Sequence, residues 1–171
     1  FRSLGKHADL SYVLLQEDEL SRLGVDYVRT DRGGEVTAHM PGQLVVYPIL
    51  PVLSLGLGAR DYVNALMQAV IQTLAHWDIE ARCDAEYPGV WVGRQKICAV
   101  GVRIRERVSL HGIALNVNNS LELFSSIVPC GIKHLGVTSL RQELGREVSL
   151  EDVKSVLSQR LSEQLRLEFL T

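Results

Sequence analysis

A thiol between a proline and a glycine is the first feature that points to chemistry. Cys130 lies in "IVPCGI", residues 127–132, between Pro129 and Gly131. A cysteine kept for packing usually lies inside a strand or helix among other apolar side chains. Proline fixes its own φ, and glycine permits a tight turn or the close approach of another group. We therefore expect a turn that presents the Cys130 thiol outward.

A lysine at the start of an apolar strand is the second such feature. Lys96 precedes the apolar residues of "GRQKICAVG", residues 93–101. A lysine in this place most often carries its ammonium to solvent along an apolar stem. Held against a thiol instead, its charge would stabilise the thiolate, and Lys96 would activate a nucleophile. The spacing leaves both interpretations open.

Two glycine-containing segments could bind a ligand. In "RGGEVTAHMPGQ", residues 32–43, paired glycines would let backbone N–H groups approach a ligand, and Arg32 could hold a phosphate or carboxylate. The same stretch of sequence also fits a Gly-Gly hairpin turn followed by a strand that carries a histidine. In "SLHGIALNVN", residues 109–118, a glycine within a strand often marks the close approach of a ligand or backbone.

Metal chemistry and disulfide bonding are not expected. The spacing of His39, His111 and Cys130 does not favour a metal site. Cys83, Cys98 and Cys130 form an odd set without a close pair, which argues against a disulfide framework and a structural zinc site. Such cysteine usage fits a reducing compartment, and Cys98 reads as a core-facing strand residue.

Composition and charge are those of one soluble globular domain spanning residues 1–171. The chain is 46% hydrophobic and 22% charged, with a net charge of −2. This charge provides no overall field for non-specific binding of nucleic acid. Polar and charged residues interrupt every apolar run before the roughly 20 residues that span a bilayer. We therefore expect neither a nucleic-acid partner nor a membrane segment.

The elements that must position these residues indicate an α+β fold with a mainly antiparallel central sheet flanked by helices. The pattern predicts a helix over residues 60–77, started by a capping Asp61, with a buried stripe of Val63, Leu66, Val70 and Leu74. A last helix begins at an N-cap Ser149, with Asp152 at N3 and a buried stripe of Val153, Val156, Leu157 and Leu161.

Strands fill most of the rest of the pattern. A short helix is expected over 17–24, followed by strands over 25–30, 35–40 and 43–50, the last two joined by a Pro41-Gly42 turn. Residues 89–117 read as consecutive antiparallel strands broken at "GRQ" and "RER". Separate helices and strands without a regular strand-helix-strand repeat are typical of an α+β domain.

These segments together resemble the lipoyl(octanoyl) transferase family. "RGGEVTAHMPGQLVVYPIL" is similar to that family's RGG-x-VT-x-HGPGQ signature. "KICAVGVRI", "HGIALNVN", "IVPCGI" and "GVTSL" then follow in the family's order. The resemblance extends from about Gly5 to the end of the chain, and it implies the α+β core shared by lipoate and biotin protein ligases.

The resemblance implies a role for each of these segments. Cys130 would be the acyl-accepting nucleophile and Lys96 its partner. The residues implied to line the acyl and thioester pocket are Arg32, Gly33, Gly34, Glu35, Val36, Thr37, Ala38, His39, Ala99, Val100, Gly101, Gly112, Ile113 and Ala114. Neither a metal nor a cofactor is implied.

The implied activity is transfer of an octanoyl group from acyl carrier protein to a lysine through a cysteine thioester, a step of lipoate biosynthesis. The acceptors would be lipoyl domains of 2-oxoacid dehydrogenase complexes and the glycine cleavage H protein, and the location cytoplasmic, or mitochondrial if a leader was removed. Two alternatives stay open. One is an ATP-dependent lipoate or biotin protein ligase of the same fold, and the other is a non-catalytic relative that binds carrier protein.

The chain departs from the family pattern at two places. Met40 stands where the family has the glycine that follows the histidine, so either the local backbone accepts a side chain or the pocket is altered. The family's expected stretch before "FRSLGKHA" is absent, which predicts that part of the sheet or pocket wall is missing.

Overall fold

A computed structural model of the protein describes residues 2–5, 27–34, 36–84, 86–122, 124 and 136–167. The nucleophile predicted at Cys130, the ligand-lining residue predicted at Glu35 and the helix predicted over 17–24 lie outside the described residues.

The larger of the two sheets formed by the described residues is mainly antiparallel, as the sequence predicts. Its strands are β4 (Gln43–Val46), β5 (Arg82–Cys83), β6 (Val90–Val92), β7 (Gln95–Arg105), β8 (Val108–Asn116) and β9 (Gly136–Val137). The order across it is β4-β8-β7-β6-β5, and β9 pairs in parallel with β7. The pairing of β7 with β8 is the longest, with Ala99 opposite Ala114 and Gly101 opposite Gly112.

A smaller sheet brings together β1 (Arg2–Leu4), β2 (Tyr27–Arg29) and β3 (Val36–Ala38). The strand β1 lies in the middle, parallel to β2 and antiparallel to β3. All three residues of β3 are buried. β3 begins at Val36, shortly after the "RGG" segment of residues 32–34, and the Gly33 N–H of that segment donates to the Val102 carbonyl of the large sheet at 3.3 Å.

Helices pack on one face of the large sheet. A 3₁₀ helix (Val52–Leu55) precedes α1 (Ala59–Ala75), and α2 (Leu140–Leu144) and α3 (Leu150–Leu165) follow the strands. Their buried side chains form one apolar core with Cys98 of β7 and Leu115 of β8, which are directly opposite each other. The next pair along, Ala99 and Ala114, lies on the other face because successive strand side chains alternate.

The predicted start of α1 is wrong in one respect. Its N-cap is Gly58 without a side-chain hydrogen bond, and Asp61 lies within the first turn, where a carboxylate favours the helix dipole. Leu66, Val70 and Leu74 are buried as predicted, whereas Val63 is only partly buried. Tyr62 is fully buried instead of Val63. Its hydroxyl can be buried because it donates a hydrogen bond to the Pro48 carbonyl at 2.9 Å.

The predicted last helix is confirmed. The Ser149 hydroxyl accepts from the Asp152 backbone N–H at 3.2 Å and caps α3. Val153, Leu157 and Leu161 are buried, and Leu165 extends the stripe by one turn. Val156 is half-buried.

The strand before the first helix is shorter than predicted. It ends at Val46 rather than at residue 50, because Pro48 lacks the N–H that would continue the ladder. The Pro41-Gly42 turn is confirmed, since the Gln43 N–H donates to the Met40 carbonyl at 3.2 Å and Gly42 has φ of 88°. Met40 is not among the residues with positive φ, so the backbone there accepts a side chain.

Within the described ranges, no helix is both long enough and apolar enough to cross a membrane.

Candidate active site

A cavity of about 290 Å³ opens beside the small-residue face of β7 and β8. Its lining comes from Arg32, Gly34, Val36, Thr37, Gln43, Glu86, Tyr87, Pro88, Lys96, Ala99, Val100, Ala114, Asn116, Phe124 and Val137. A smaller recess of about 30 Å³ shares Arg32, Thr37, Ala99, Val100 and Ala114 with it. The two spaces form one candidate site that lies between the two sheets.

The structure brings most of the predicted pocket residues to this site. Those lining the larger cavity are Arg32, Gly34, Val36, Thr37, Lys96, Ala99, Val100 and Ala114, and those lining only the recess are His39, Gly101, Gly112 and Ile113. Gly33 and Ala38 line neither space, although each is adjacent to residues that do.

The direction of Lys96 is set by an irregularity in the pairing of β6 with β7. Val90 pairs with Cys98 and Trp91 with Lys96, so the register shifts at Ile97 as in a β-bulge. Consequently Ile97 and Cys98 both belong to the apolar core, while Lys96 lines the cavity with Ala99. Strict alternation would have put Lys96 on the same face as Cys98.

The ammonium of Lys96 is held inside the protein and does not reach solvent along the stem. Lys96 is 6% exposed, and its Nζ donates to the Pro88 carbonyl at 3.0 Å. The same Nζ lies 4.8 Å from the centre of the Trp91 ring, a cation–π distance. The structure therefore contradicts the interpretation in which Lys96 snorkels.

The loop that carries Arg32 lies tightly on β7. The Gly33 N–H donates to the Val102 carbonyl at 3.3 Å, and a Cβ on Gly33 would come within 2.8 Å of that oxygen. A Cβ on Gly101 would in turn lie 2.9 Å from the Gly33 carbonyl oxygen. Glycine is needed at both positions for this close approach, and Arg32 at the cavity is only 8% exposed.

An exposed carboxylate ties this loop to the large sheet. Asp31 accepts from His111 Nε2 at 2.7 Å and pairs with Arg103, which lies on β7. The hydrogen bond from His111, opposed in part by burial and aided by the charge of Arg103, lowers the pKa of the Asp31 carboxyl. His111 has φ of 59° within β8, so the strand departs from extended geometry at the residue that binds the loop.

A chain of hydrogen bonds fixes the ring of His39. The Asn116 side-chain N–H donates to the Thr138 carbonyl at 3.0 Å, which leaves the Asn116 oxygen to accept from Gln43 Nε2 at 2.9 Å. Gln43 Oε1 therefore accepts from His39 Nδ1 at 2.9 Å. Neutral His39 accordingly carries its proton on Nδ1, and Nε2 is its acceptor nitrogen.

The electrostatic setting favours the neutral form of His39. Burial lowers the pKa of His39 below its ordinary value, the hydrogen bond to Gln43 opposes this shift, and the charge of Arg32 adds to it. A neutral imidazole of fixed tautomer thus lines the recess.

Two polar residues of this hydrogen-bonded series were not predicted as site residues. Gln43 and Asn116 line the cavity, and Asn116 is only 4% exposed. A signal was present for Asn116, because an asparagine that ends an apolar strand must find hydrogen-bond partners when it is buried. No comparable signal marks Gln43, because its hydrogen bonds depend on the position of Ala38 at the end of β3.

The two described cysteines are poor nucleophiles. Burial raises the pKa of Cys98 to about 12, with minor opposing effects from a backbone hydrogen bond and from Lys96. Burial also raises the pKa of Cys83, which lies outside the cavity lining. The sequence interpretation of Cys98 as a core residue is confirmed.

Across the described ranges, no group of three or more His, Cys, Asp or Glu side chains could hold a metal ion.

Comparison with known proteins places the chain in a family. Residues 2–162 match the family described as "Lipoyl protein ligase A/B catalytic domain". The chain is 45% identical over 152 residues to an octanoyltransferase of Dictyoglomus thermophilum, covering 89% of this chain and 64% of the relative. It is 44% identical over 164 residues to an octanoyltransferase of Bacteroides fragilis, covering 93% of this chain and 74% of the relative.

Solved structures share the fold at low sequence identity. Lipoate-protein ligase A bound with ATP superposes with a TM-score of 0.74 at 18% identity, over 99% of this chain and 70% of that one. The biotin protein ligase of Aquifex aeolicus with biotin and ATP gives a TM-score of 0.64 at 20% identity, over 88% of this chain and 66% of that one. These likenesses confirm the predicted ligase-like α+β core.

This chain spans 64% of the Dictyoglomus relative and 74% of the Bacteroides relative. Its sequence match over residues 2–162 and its identity to these octanoyltransferases show that the chain belongs to the lipoyl(octanoyl) transferase family, within the lipoyl protein ligase A/B catalytic-domain group.

Proposed function

We propose that this chain transfers an octanoyl group from acyl carrier protein to a lysine of a lipoyl domain through a thioester on Cys130. The observation that carries the proposal is the buried Lys96 amine on the wall of a largely apolar cavity. Val36, Ala99, Val100 and Ala114 supply apolar walls for an acyl chain. The names of the relatives, which are octanoyltransferases, support the acyl group chosen.

In the first half-reaction a proton passes from the Cys130 thiol to the neutral form of the Lys96 amine, and the resulting ammonium is the cation that the Pro88 carbonyl and the Trp91 ring contact. The thiolate attacks the carbonyl carbon of the octanoyl thioester on the phosphopantetheine arm. The bond from that carbon to the carrier's sulfur then breaks, and Lys96 returns the proton to the leaving thiolate. One positioned base thus acts first as proton acceptor and then as donor.

In the second half-reaction the amine of the acceptor lysine attacks the thioester on Cys130. The attacking nitrogen loses a proton to Lys96, an amide bond forms, and the bond to the Cys130 sulfur breaks. Exchange of one thioester for another is nearly balanced in free energy, whereas formation of an amide from a thioester is downhill. The sequence of steps therefore needs no ATP.

The proposed partners are those that the family resemblance implies. The donor is octanoyl-acyl carrier protein, and the acceptors are lipoyl domains of 2-oxoacid dehydrogenase complexes and the glycine cleavage H protein. The two solved neighbours that contain ATP are 18% and 20% identical, and they show the fold alone. An ATP-dependent ligase would require no cysteine nucleophile, which separates the two functions experimentally.

The test is intact-mass analysis of the protein after incubation with octanoyl-acyl carrier protein, without ATP or acceptor. We expect one octanoyl adduct, removed by hydroxylamine and abolished by Cys130→Ser. Lys96→Met should slow its formation by about 10²–10⁴-fold, the usual contribution of a general base.

Matched controls remove the same groups elsewhere. Cys83→Ser removes a thiol outside the cavity, and Lys154→Met removes an exposed lysine of α3, so both should acylate as the wild type does. Acylation that persists in Cys130→Ser, or transfer that occurs only with ATP, would overturn the proposal.

A further inference from the structure

We infer that Trp91 is a positioning residue for Lys96, acting on the lysine directly through its ring and indirectly through the backbone of Tyr87 and Pro88. This inference rests on the proposed function, because it assigns to Trp91 the orientation of the amine that serves Cys130.

The direct contact is between the indole face and the ammonium. Trp91 and Lys96 are cross-strand neighbours on β6 and β7, and the Lys96 Nζ lies 4.8 Å from the ring centre. Trp91 is only 3% exposed, so the contact is shielded from water. A cation over an indole is attracted more strongly when the pair is desolvated.

The indirect contact runs through two backbone carbonyls. The Trp91 Nε1–H donates to the Tyr87 carbonyl at 3.0 Å, and the next carbonyl, that of Pro88, accepts from Lys96 Nζ at 3.0 Å. The Trp91 side chain therefore fixes the backbone at Tyr87, and the carbonyl of the next residue, Pro88, binds Lys96. A buried indole N–H requires such a partner, so the link cannot be lost without cost.

The rest of the loop is fixed around this pair. The Asp84 carboxylate accepts from the backbone N–H groups of Glu86 at 3.0 Å and Tyr87 at 3.1 Å. A Cβ on Gly89 would lie 2.7 Å from the Cys98 carbonyl oxygen and 3.1 Å from Lys96 Cε. The loop backbone thus lies directly against the lysine stem.

This arrangement matters because the ammonium of a lysine moves on four rotatable bonds. The β-bulge turns Lys96 toward the cavity, but it does not determine where its Nζ lies. The Pro88 oxygen and the Trp91 ring limit the Nζ from two sides, which preserves the geometry that proton transfer requires.

The test is a double-mutant cycle on the alkylation of Cys130 by iodoacetamide, located by peptide mass mapping. Trp91→Leu removes both contacts and Trp91→Phe keeps a ring without the N–H. In the Lys96 background we expect Trp91→Leu to slow alkylation by about 3–30-fold, the range that corresponds to a cation–π attraction. Trp91→Phe should fall between the wild type and Trp91→Leu.

In the Lys96→Met background, Trp91→Leu should have less than about a two-fold further effect, because residues that act as a unit are not additive. An equal loss in both backgrounds would show that Trp91 acts on Cys130 through general packing, and would overturn the inference. Trp77→Leu, which removes the chain's other, half-buried tryptophan, is the matched control and should leave the rate at the wild-type value.

A second measurement separates this inference from the proposed function. In a Trp77→Phe protein, Trp91 is the one tryptophan, and its fluorescence emission should change when Lys96 is replaced by Met. Unchanged emission would overturn the contact even if Cys130 is acylated. Changed emission without any octanoyl adduct on Cys130 would leave the contact standing and overturn the octanoyltransferase proposal instead. Thermal unfolding of each variant shows whether it is folded.

Discussion

His39 illustrates how single residues in this site obtain their properties from partners on other strands. Its ring nitrogen Nδ1 donates to Gln43, and Gln43 is oriented by the Ala38 carbonyl and by Asn116. Each donor and acceptor in this series of hydrogen bonds has one consistent assignment, since the Thr138 carbonyl at the end of the series can only accept. The tautomer of one imidazole is therefore determined by residues up to 99 positions further along the chain, the separation between His39 and Thr138.

The shifted ionisation of His39 predicts a pH dependence of stability. Burial lowers its pKa below the ordinary value of 6.5, so the unfolded chain binds more protons than the folded one just below that pH. The free energy of unfolding should therefore fall as the pH decreases through 6.5. Urea denaturation between about pH 7.5 and 5 measures this loss, which should be smaller in His39→Gln, where the unfolded state has no imidazole to protonate there.

His76→Gln controls for the removal of an imidazole, because His76 is exposed at the end of α1. A wild-type pH dependence retained in full by His39→Gln would contradict the assignment.

For single residues, the sequence predicted which residues belong to the site better than it predicted where their side chains point. Lys96 was singled out, but the direction of its side chain was left open, because only the tertiary pairing shows the shift at Ile97. Gln43 was missed for a similar reason, since its partners Ala38 and Asn116 are brought together by strand pairing. The amino-acid sequence alone indicates neither the register shift at Ile97 nor the partners of Gln43.

At the scale of elements, the β7–β8 hairpin places small residues in line along the site. Ala99 opposite Ala114 and Gly101 opposite Gly112 leave the space that the cavity and recess occupy. The hairpin ends in a two-residue turn whose central residues, Glu106 and Arg107, have φ of 50° and 70°. Asn-Gly is the preferred pair for such a type I′ turn.

This turn predicts a stabilising substitution. Replacing Glu106 by Asn and Arg107 by Gly puts residues that tolerate the left-handed backbone in place of two that are disfavoured there, at a cost of about 1–2 kcal/mol per residue at most. We expect the free energy of unfolding to rise by about 1–2 kcal/mol and Tm by about 2–8 °C.

The matched control is Glu106→Gln with Arg107→Gln, which removes the same two charges and keeps the strained backbone. An equal gain in that variant would show that charge, and not φ, destabilises the turn.

Helices and turns were predicted from local chemistry, whereas the strand ends were not. Ser149 and the Pro41-Gly42 turn are confirmed because a cap and a turn depend on a few adjacent residues. The start of α1 was misplaced because Asp61 satisfies the same composition rule as an N-cap while occupying the first turn. The end of β4 at Val46 depends on how Pro48 meets β8.

At the scale of the whole molecule, the site lies where the small sheet and its loop meet the large sheet. Polar groups join them at two ends. Gln43 connects Ala38, at the end of β3, to Asn116 of β8, and Asp31 connects the Arg32 loop to Arg103 and His111. Most of the apolar core lies on the opposite face, where the helices pack, although Ile113 of this core also lines the recess. The site can therefore be loosened without unfolding the core.

The Asp31 junction supplies a test of that independence. Asp31→Ala removes the carboxylate that holds the loop, so the Gly33 N–H, which donates to Val102 at 3.3 Å, should lose protection from hydrogen exchange. We expect a decrease of about two- to five-fold in its protection factor, since exposed ion pairs contribute little, with Tm nearly unchanged. Wild-type protein should show the same decrease only as the pH falls below 3.8, because the lowered pKa of Asp31 keeps its carboxylate charged above that value. Glu163→Ala removes an arginine-paired carboxylate on α3 and should leave Gly33 protected, and a loss of protection common to both variants would indicate a global effect and contradict the proposed junction.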